Sequence, residues 1–280
     1  MLDRLRIERR VRDLLPKRAR PFLASAYYGV LDLVSGRRDP LRPPRRLLRL
    51  STDPESDFRA TGSAFARYVF DDLDLGPDSA VLDVGCGVGR LAVGLTQFLG
   101  PEGRYEGFDI IEKEVAWCQR QITPRFPRFR FQVADIFNTT YHPSGRLRAS
   151  EFRFPYDQAS FDAVVVGSVF THLLPDDATN YVREIARVLR PGGRVLASFY
   201  LLNDRSRSGI EDKTSAFSFA FDRDGAKVDD DDRPELAVAY GEDVVRGWFD
   251  RSELSVESYL PGEWSTAGTQ SQDLIAARRR

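Results

Sequence analysis

The order of apolar and polar positions along the chain changes character twice, near residue 80 and near residue 202. Between these points, short apolar segments rich in β-branched residues alternate with segments whose apolar positions recur at helical spacing. The predicted strands are Ala80–Val84, Tyr105–Ile110, Phe129–Val133, Phe161–Gly167 and Arg194–Tyr200, and the predicted helices are Arg90–Phe98, Lys113–Thr123 and Asp176–Leu189. This alternation predicts an α/β fold, with a mostly parallel sheet between helices on both of its faces.

The segments on either side of this region are less regular. Helical spacing recurs over residues 1–20 and Ser51–Leu73, and a proline-rich stretch, Arg37–Arg49, predicts an extended linker between them. Towards the C-terminus the chain first becomes polar and acidic. The remaining predicted elements are strands at Ala216–Phe221, Leu236–Tyr240, Leu254–Leu260 and Asp273–Ala277, and a helix at Gly241–Ser252.

We therefore predict a basic helical extension over residues 1–50 and a main domain over 51–280, with 203–240 as a lid or insertion after the fifth strand. Residues 1–50 hold 14 Lys and Arg against 5 Asp and Glu, whereas the whole chain has a net charge of -1. A near-neutral total argues against nucleic acid as a partner. Our hypothesis for residues 1–34 is peripheral contact with an anionic membrane, and the alternative is a solvated or dimer-forming helix.

The two cysteines, Cys86 and Cys118, are too few for a disulfide framework, so we interpret both as reduced thiols. No apolar run approaches the 18 residues of a membrane-spanning helix, and the N-terminus is too charged for a signal peptide. These features predict a cytoplasmic protein, membrane-peripheral if the hypothesis for residues 1–34 holds. They leave the oligomeric state open.

Candidate chemistry is concentrated where the first strand ends, in the stretch VLDVGCGVGR at Val81–Arg90. Glycines between a strand and a helix let a ligand approach the backbone closely. The acid that closes the second strand, Asp109, offers two oxygens to the hydroxyls of a ribose. A dinucleotide fingerprint requires a third small residue where Arg90 stands, so the pattern favours another adenosine-containing ligand.

Several segments, in this order and spacing, resemble the class I S-adenosylmethionine-dependent methyltransferases. They are DVGCGVG at 83–89, GFDI at 107–110, VADIF at 133–137, FDAVVVGSVFTHL at 161–173 and RVLRPGGRVL at 187–196. The resemblance is close over about residues 55–200 and looser over 236–277. It implies a Rossmann-like doubly wound sheet with an antiparallel last strand, and S-adenosylmethionine as cofactor. The segments FRATG, YHPSG and FTHLLP resemble a bacterial subgroup that methylates small molecules.

The resemblance also implies which residues contact the cofactor. They are Asp83, Gly85, Cys86, Gly87, Gly89, Asp109, Ile110, Asp135, Ile136, Phe137, Ser168 and Val169. Asp83 would help to hold the amino group of the methionine moiety, Asp109 the ribose, and Asp135 the adenine amine. The alternatives are a purely structural acceptor for Asp83, a solvated strand-end acid for Asp109 and a helix N-cap for Asp135.

His172 is one of only two histidines and follows the fourth strand, where cofactor and acceptor sites meet in this family. A histidine with a near-neutral pKa suits removal of a hydroxyl proton during methyl transfer. We name it as the candidate catalytic residue, with a structural role in its loop as the alternative. For the cofactor carboxylate, Arg59 and Arg90 are competing candidates. Tyr141, Tyr200, Trp264 and Gln270 are candidates for the acceptor wall, against a role in packing.

These residues together predict an enzyme that transfers a methyl group to a small molecule, through a hydroxyl of a sugar, glycan precursor or secondary metabolite. Methylation of nitrogen or of a protein, and a non-catalytic module that keeps the cofactor pocket, are the alternatives. The acidic stretch over 222–235 lacks the spacing of a calcium loop, so we predict no metal site there.

Overall fold

The computed structural model describes residues 39–48, 57–269 and 271–280. The predictions for residues 1–34, for 51–56 and for Gln270 concern residues outside these ranges. The chain divides into two compact units, residues 1–58 and 59–280. Within the described part of the first unit, the stretch predicted as an extended linker contains one helical turn, α1 (Arg45–Leu48).

From Phe58 onward, helices and strands alternate as the hydrophobic pattern predicts. In chain order they are α2 (Phe58–Asp72), β1 (Ala80–Val84), α3 (Arg90–Leu95), β2 (Arg104–Asp109), α4 (Glu112–Gln121), β3 (Phe129–Val133), β4 (Phe161–Val166), α5 (Pro175–Val188), β5 (Leu189–Phe199), β6 (Leu201–Leu202), α6 (Asp204–Glu211), β7 (Phe221–Arg223), β8 (Ala226–Val228), β9 (Val238–Gly241), α7 (Glu242–Arg251), β10 (Leu254–Leu260) and β11 (Asp273–Arg279). Short 3-10 turns occupy Ala149–Glu151, Phe170–His172 and Pro234–Leu236.

Seven strands form the main sheet in the order β10-β11-β5-β4-β1-β2-β3. The pairs from β5 to β3 are parallel, and β11 runs antiparallel to both of its neighbours. This is the predicted Rossmann-like sheet with an antiparallel last strand. The central strands β1 and β4 are buried almost throughout, as expected for strands covered on both faces. Parallel strands end at one edge of a sheet, so the loops after β1, β2, β3, β4 and β5 meet there.

Helices α2 and α3 approach each other closely at a pair of glycines. A Cβ on Gly94 would lie 2.3 Å from the carbonyl oxygen of Gly62 and 2.6 Å from the Cβ of Ala66. Only glycine fits at such a distance between two helix backbones. The glycine of the FRATG segment therefore serves helix packing beside the loop that follows β1.

The entry into β5 differs from the prediction. Helix α5 ends at Val188, close to the predicted end, but the strand begins at Leu189 rather than at Arg194. Leu189 pairs with Phe161, and the next pair is Arg194 with Ala163. The Pro-Gly-Gly segment therefore forms a bulge within the strand, with Gly192 at φ 78°, and does not separate the helix from the strand.

A second sheet of four short strands, in the order β6-β9-β8-β7, is formed over residues 201–241, with β7 and β8 inside the predicted insertion. The strand predicted at Ala216–Phe221 is wrong, because only Phe221 belongs to a strand. The Asp229 carboxylate accepts from the backbone N–H groups of Ser218 and Phe219, at 2.7 and 3.3 Å, in place of a strand partner. Phe217 and Phe219 still face one aromatic cluster with Tyr200, so the alternation indicated the burial correctly but not the hydrogen bonding.

Helix α6 was not predicted. Its sequence is polar and has no apolar stripe, so the hydrophobic pattern does not reveal it. A capping box starts it, in which Asn203 accepts from the Ser206 N–H at 3.1 Å and the Ser206 hydroxyl accepts from the Asn203 N–H at 2.9 Å. Ser206 takes the place of the usual Glu or Gln of this motif.

Candidate functional site

The loop between β1 and α3 has an unusual backbone. Gly85, Gly87 and Gly89 adopt φ values of 79°, 51° and 70°, in the left-handed region that disfavours other residues. A Cβ on Gly85 would lie 2.3 Å from a methyl group of Val169. The loop therefore brings bare backbone to the carboxyl edge of the sheet, directly beneath the segment that follows β4.

Asp109 closes β2 beside this loop. Its two carboxylate oxygens accept the N–H groups of Gly87 and Ile111, each at 2.8 Å. Burial raises the pKa of Asp109, and the backbone N–H groups of Ile111, Gly87 and Ile110 act in the opposite direction. These hydrogen bonds fix the carboxylate at the edge, and each of its oxygens keeps a further lone pair for a ligand hydroxyl.

Asp83 lies within β1 and is 5% exposed. The Tyr105 hydroxyl donates to its carboxylate at 2.5 Å. The pKa of Asp83 is raised to about 7. Burial is the main cause, the hydrogen bond from Tyr105 opposes it, and the nearby Asp109 adds to it. We call residues 83–89 together with 109–111 the glycine-loop half of the site. It holds buried Asp83 and half-buried Asp109 about one bare turn of backbone, and a ligand that carries a cation and vicinal hydroxyls would complement both.

The two cysteines are buried on the inner side of the glycine loop. The thiols of Cys86 and Cys118 lie 3.9 and 3.5 Å from the carbonyl oxygen of Gly87. Burial raises the pKa of both thiols, and each is raised further by neighbouring acids or by the other thiol. Both are therefore thiols rather than thiolates at neutral pH, and Cys86 contributes packing under the loop.

Asp135 is already engaged by its own hairpin. Its carboxylate accepts from Nε of Arg146 at 2.5 Å and from Nε2 of His142 at 3.0 Å, and these two contacts lower its pKa. Ile136 is buried, whereas Phe137 is 44% exposed. Of the three residues expected near adenine, Phe137 offers a free ring face and Asp135 would have to share its carboxylate.

Across the edge from the glycine loop lies a row of uncharged polar groups. The side-chain oxygen of Gln272 accepts from the hydroxyls of Ser168 and Ser198, at 3.1 and 2.6 Å, and the Gln272 amide also hydrogen-bonds the Tyr200 hydroxyl. Ser168 is exposed and has a φ of 56°, which is a strained value for a residue with a side chain. We call Ser168, Ser198, Tyr200 and Gln272 the hydroxyl row. Sequence reasoning missed Ser198 and Gln272, because neither a strand interior nor the start of the last strand gives a local sign of the site.

His172 lies between these two parts of the edge. Its Nδ1 is 2.9 Å from the carbonyl oxygen of Glu235, and because a carbonyl only accepts, the ring proton is on Nδ1. Burial lowers the pKa of His172, and the carbonyls of Glu235 and Leu236 oppose that effect. The neutral ring therefore predominates at pH 7, with the lone pair on Nε2.

Tyr141 connects the two parts. Its ring meets the ring of His172 edge to face, with centroids 5.2 Å apart. Burial raises the pKa of its hydroxyl, and the next largest contribution comes from Asp109. Tyr141 also raises the pKa of Tyr200, so its hydroxyl lies near the hydroxyl row as well. Trp264 is fully buried and donates to Asp273 at 2.7 Å, which identifies it as a packing residue behind Tyr200.

The two candidate arginines differ in their surroundings. Arg59 is exposed on α2, whereas Arg90 is partly buried immediately after the glycine loop. Burial lowers the pKa of Arg90, and no carboxylate in residues 39–48, 57–269 and 271–280 forms an ion pair with it. Of the two candidates, Arg90 is therefore the more buried and the nearer in sequence to the glycine loop.

The acids of the 222–235 stretch are used locally. Asp222 pairs with Lys227, Asp230 with Arg233 and Asp231 with Arg223. In the part of the chain that the structure describes, no group of three His, Cys, Asp or Glu side chains could hold a metal ion. Nor does that part contain a helix that is long and apolar enough to cross a membrane.

The chain resembles known proteins across this same region. A protein-family model described as "Methyltransferase domain" matches residues 81–193. The methyltransferase GfsG of Streptomyces halstedii is 30% identical over 145 residues, which are 52% of this chain and 45% of that protein. A demethylmenaquinone methyltransferase of Lactobacillus johnsonii is 26% identical over 61% of this chain and 64% of its own length. The chain thus spans about half the length of the curated relatives it matches.

Solved structures share the fold at low identity. The magnesium protoporphyrin IX methyltransferase of Synechocystis PCC 6803, with bound S-adenosylmethionine, superposes with a TM-score of 0.51 at 17% identity, over 83% of this chain and 89% of that one. Residues 81–193 thus match a methyltransferase-domain family model, and the chain shares its fold with solved S-adenosylmethionine-dependent methyltransferases.

Proposed function

We propose that the protein transfers a methyl group from S-adenosylmethionine to a hydroxyl of a small, uncharged, hydroxylated molecule such as a sugar or a secondary metabolite. The observation that carries the proposal is the pair of acids, buried Asp83 and half-buried Asp109, held on either side of three glycines with positive φ. A cofactor with an ammonium group, a ribose and a methyl sulfonium matches this arrangement. When bound, it supplies an electrophilic methyl group.

The residues present fit each part of that cofactor. Asp109 accepts from the ribose hydroxyls, and Asp83 faces the ammonium group across the glycine loop. Arg90 pairs with the carboxylate, since its charge forms no ion pair with the described side chains and it directly follows the glycine loop in sequence. Phe137 offers an exposed ring to adenine. Val169 covers Gly85 from above and marks where the methyl group meets the acceptor.

His172 is the base in this proposal. The acceptor hydroxyl gives its proton to Nε2 of His172 as its oxygen forms a bond to the methyl carbon and the sulfur–carbon bond breaks. Positive charge leaves the sulfur as it appears on the imidazolium, so the step conserves charge. Because Nδ1–H is held by the carbonyl of Glu235, Nε2 is the nitrogen that can take the proton.

The hydroxyl row supports an uncharged acceptor. Ser168, Ser198, Tyr200 and Gln272 can donate and accept, but none carries a charge at neutral pH. A phosphorylated or carboxylated acceptor would gain nothing from such a wall, whereas a sugar or polyol would exchange hydrogen bonds with it. Tyr141 adds an aromatic face of the kind on which a sugar ring packs.

The test combines cofactor binding with transfer of a labelled methyl group. Asp109→Ala is expected to weaken S-adenosylmethionine binding at least tenfold in calorimetry, since it removes charge-assisted hydrogen bonds. Glu102→Gln is the matched control, because Glu102 is an exposed carboxylate on the loop before β2. Unchanged affinity in Asp109→Ala would contradict the ribose assignment.

Methyl-labelled cofactor is then incubated with the protein and host extract separated into neutral small molecules, charged small molecules, lipids and proteins. Label in the neutral fraction, in a base-stable ether, supports the proposal. Label in protein or on nitrogen supports one of the alternatives. Cofactor binding with no label in any fraction supports a non-catalytic module.

A further inference from the structure

We propose that Glu235 is a positioning residue for the methyl transfer, which locks His172 in the tautomer that presents Nε2 to the acceptor. This inference rests on the role proposed above for His172. It assigns a purpose to the insertion over residues 203–240, because the insertion brings Glu235 to the carboxyl edge of the main sheet.

Both the backbone carbonyl and the side-chain carboxylate of Glu235 accept hydrogen bonds. Its carbonyl accepts from Nδ1 of His172 at 2.9 Å. One oxygen of its carboxylate accepts both the backbone N–H of Thr139, at 2.5 Å, and the Thr139 hydroxyl. A single residue of the insertion therefore contacts the loop after β3 and the turn after β4.

Burial of the Glu235 carboxylate is energetically unfavourable, and closing the turn does not require it. Glu235 is 7% exposed, and within residues 39–48, 57–269 and 271–280 no Lys or Arg forms an ion pair with it. A buried carboxylate that is stabilised only by neutral donors costs free energy. The turn itself does not need it, because Leu236 already closes the turn on the carbonyl of Arg233 at 3.0 Å. The arrangement therefore serves the residues that Glu235 contacts.

Those contacts enclose His172 from two sides. Thr139 lies two residues before Tyr141, whose ring meets the His172 ring at 5.2 Å. Holding Thr139 thus holds Tyr141 against one side of the imidazole, while the Glu235 carbonyl takes the ring N–H. Loss of the carboxylate would detach the turn from Thr139 in the loop after β3, let the ring proton move between Nδ1 and Nε2, and reduce the fraction of His172 that can act as base.

The charged and titratable groups around the ring are few. Tyr141 reaches it from the hairpin after β3, and Glu235 from the insertion. Strand β9 contributes Tyr240, whose hydroxyl donates to the carbonyls of Phe170 and Leu173 and is thereby occupied. Asp177 on α5 interacts with Glu235. Variants of Glu235 should therefore change the behaviour of His172 without introducing another charge beside it.

The experiment uses the full chain and nitrogen-15 labelled histidine. The chain has only two histidines, so His142→Asn assigns the His172 ring signals without further work. In the wild type we expect a single Nδ1–H tautomer for His172 at pH 8. In Glu235→Ala we expect ring nitrogen shifts that indicate exchange between both tautomers. Glu235→Gln should restore the wild-type signals in large part, because its amide oxygen can still accept from Thr139.

Kinetics and stability complete the test. Glu235→Ala should lower kcat at least tenfold and leave the calorimetric affinity for S-adenosylmethionine unchanged, with the acid side of the kcat–pH profile displaced. Glu242→Ala is the matched control, a carboxylate at the start of α7 bonded to Asn203 and Arg246 away from His172. Thermal melting of each variant shows whether it is folded.

The outcomes separate the two proposals. A tautomer that is locked in the wild type and released in folded Glu235→Ala supports the positioning role, even if no methyl transfer is found, and in that case only the proposed function fails. A mixed tautomer in the wild type overturns the inference, as does a locked one in Glu235→Ala. Release of the tautomer with an unchanged kcat also overturns it, because the reaction would then not use His172.

Discussion

The glycine-loop half and the hydroxyl row differ in how far apart in sequence their hydrogen-bonded residues lie. In the glycine-loop half, the hydrogen bonds that fix the acids join residues 22 positions apart, Tyr105 to Asp83 and Gly87 to Asp109. In the hydroxyl row and the turn around His172, the hydrogen bonds of Gln272 and Glu235 join residues 63 to 104 positions apart. The first half is made by one strand–loop–helix–strand unit, and the second is assembled from five distant segments.

The chemistry differs in the same way. The glycine-loop half has a buried and a half-buried acid whose pKa values are raised, and it suits a ligand with fixed charges. The hydroxyl row is uncharged and depends on the insertion and on the last hairpin for its geometry. A site of this kind can change its acceptor by altering distant segments while the binding of the cofactor stays the same.

The largest expected effect concerns Asp83 and the stability of the glycine-loop half. Because burial raises its pKa to about 7, the folded state keeps a proton that the unfolded state releases near pH 4, and stability falls as pH rises between these values. Asp83→Asn removes this dependence and keeps an acceptor for Tyr105. Its stability relative to the wild type should therefore rise by about 1.4 kcal/mol per pH unit, or about 3 kcal/mol from pH 5 to pH 8.

Urea unfolding of both proteins at pH 5 and pH 8, without cofactor, measures this difference. Glu102→Gln should follow the wild-type curve, as a control for the loss of one exposed carboxylate. Equal pH dependence in wild type and Asp83→Asn would mean that Asp83 is not protonated in the folded protein. Saturating S-adenosylmethionine should reduce the difference, since its ammonium group would favour the ionised carboxylate.

The second effect concerns the chemical step at His172, which lies between the glycine-loop half and the hydroxyl row. His172→Gln should lower kcat about 100-fold, the usual cost of losing a general base, with little change in cofactor affinity. Burial lowers the pKa of His172, so the wild-type kcat should be constant above pH 7 and fall on the acid side. A variant with wild-type kcat would assign His172 to the structure of its loop alone.

The smallest effect tests whether the hydroxyl row is independent of the glycine-loop half. Trp264→Phe removes the indole N–H that donates to Asp273 at 2.7 Å and keeps the aromatic contact with Tyr200. We expect a loss of about 1–2 kcal/mol in unfolding free energy, as for one hydrogen bond to a buried carboxylate. The acceptor KM should rise, and calorimetric affinity for the cofactor should not change. A parallel loss of cofactor affinity would show that the two halves are coupled.

The contrast also explains what the sequence could predict. Strands β1 and β3 begin and end where the hydrophobic pattern places them, and the acids at Asp83 and Asp109 occupy the strand positions that their spacing indicates. These features depend on local periodicity and on glycine, both of which are visible in a short stretch of sequence. The pairing of Glu235 with Thr139, and of Gln272 with two serines, depends on which loops the topology brings together.

Failures of prediction have the same origin. Helix α6 is held by a capping box and by its packing, and its polar sequence carries no periodic signal. The Phe217–Phe219 segment alternates as a strand does, but a side chain, Asp229, takes the place of the neighbouring strand. In both cases local sequence indicates burial or capping, while the hydrogen-bond partner comes from elsewhere in the chain.

The reversed direction of β11 has a practical consequence for work with this protein. Its first residue, Asp273, lies at the carboxyl edge beside Gln272, and its last, Arg279, lies six residues further on at the opposite edge, where the N–H of the next residue, Arg280, donates to the carbonyl of Glu253. At about 3.3 Å per residue, the strand places some 20 Å of sheet between that end and the chemistry. A reporter attached at this end of β11 would lie at the edge of the sheet opposite the proposed site.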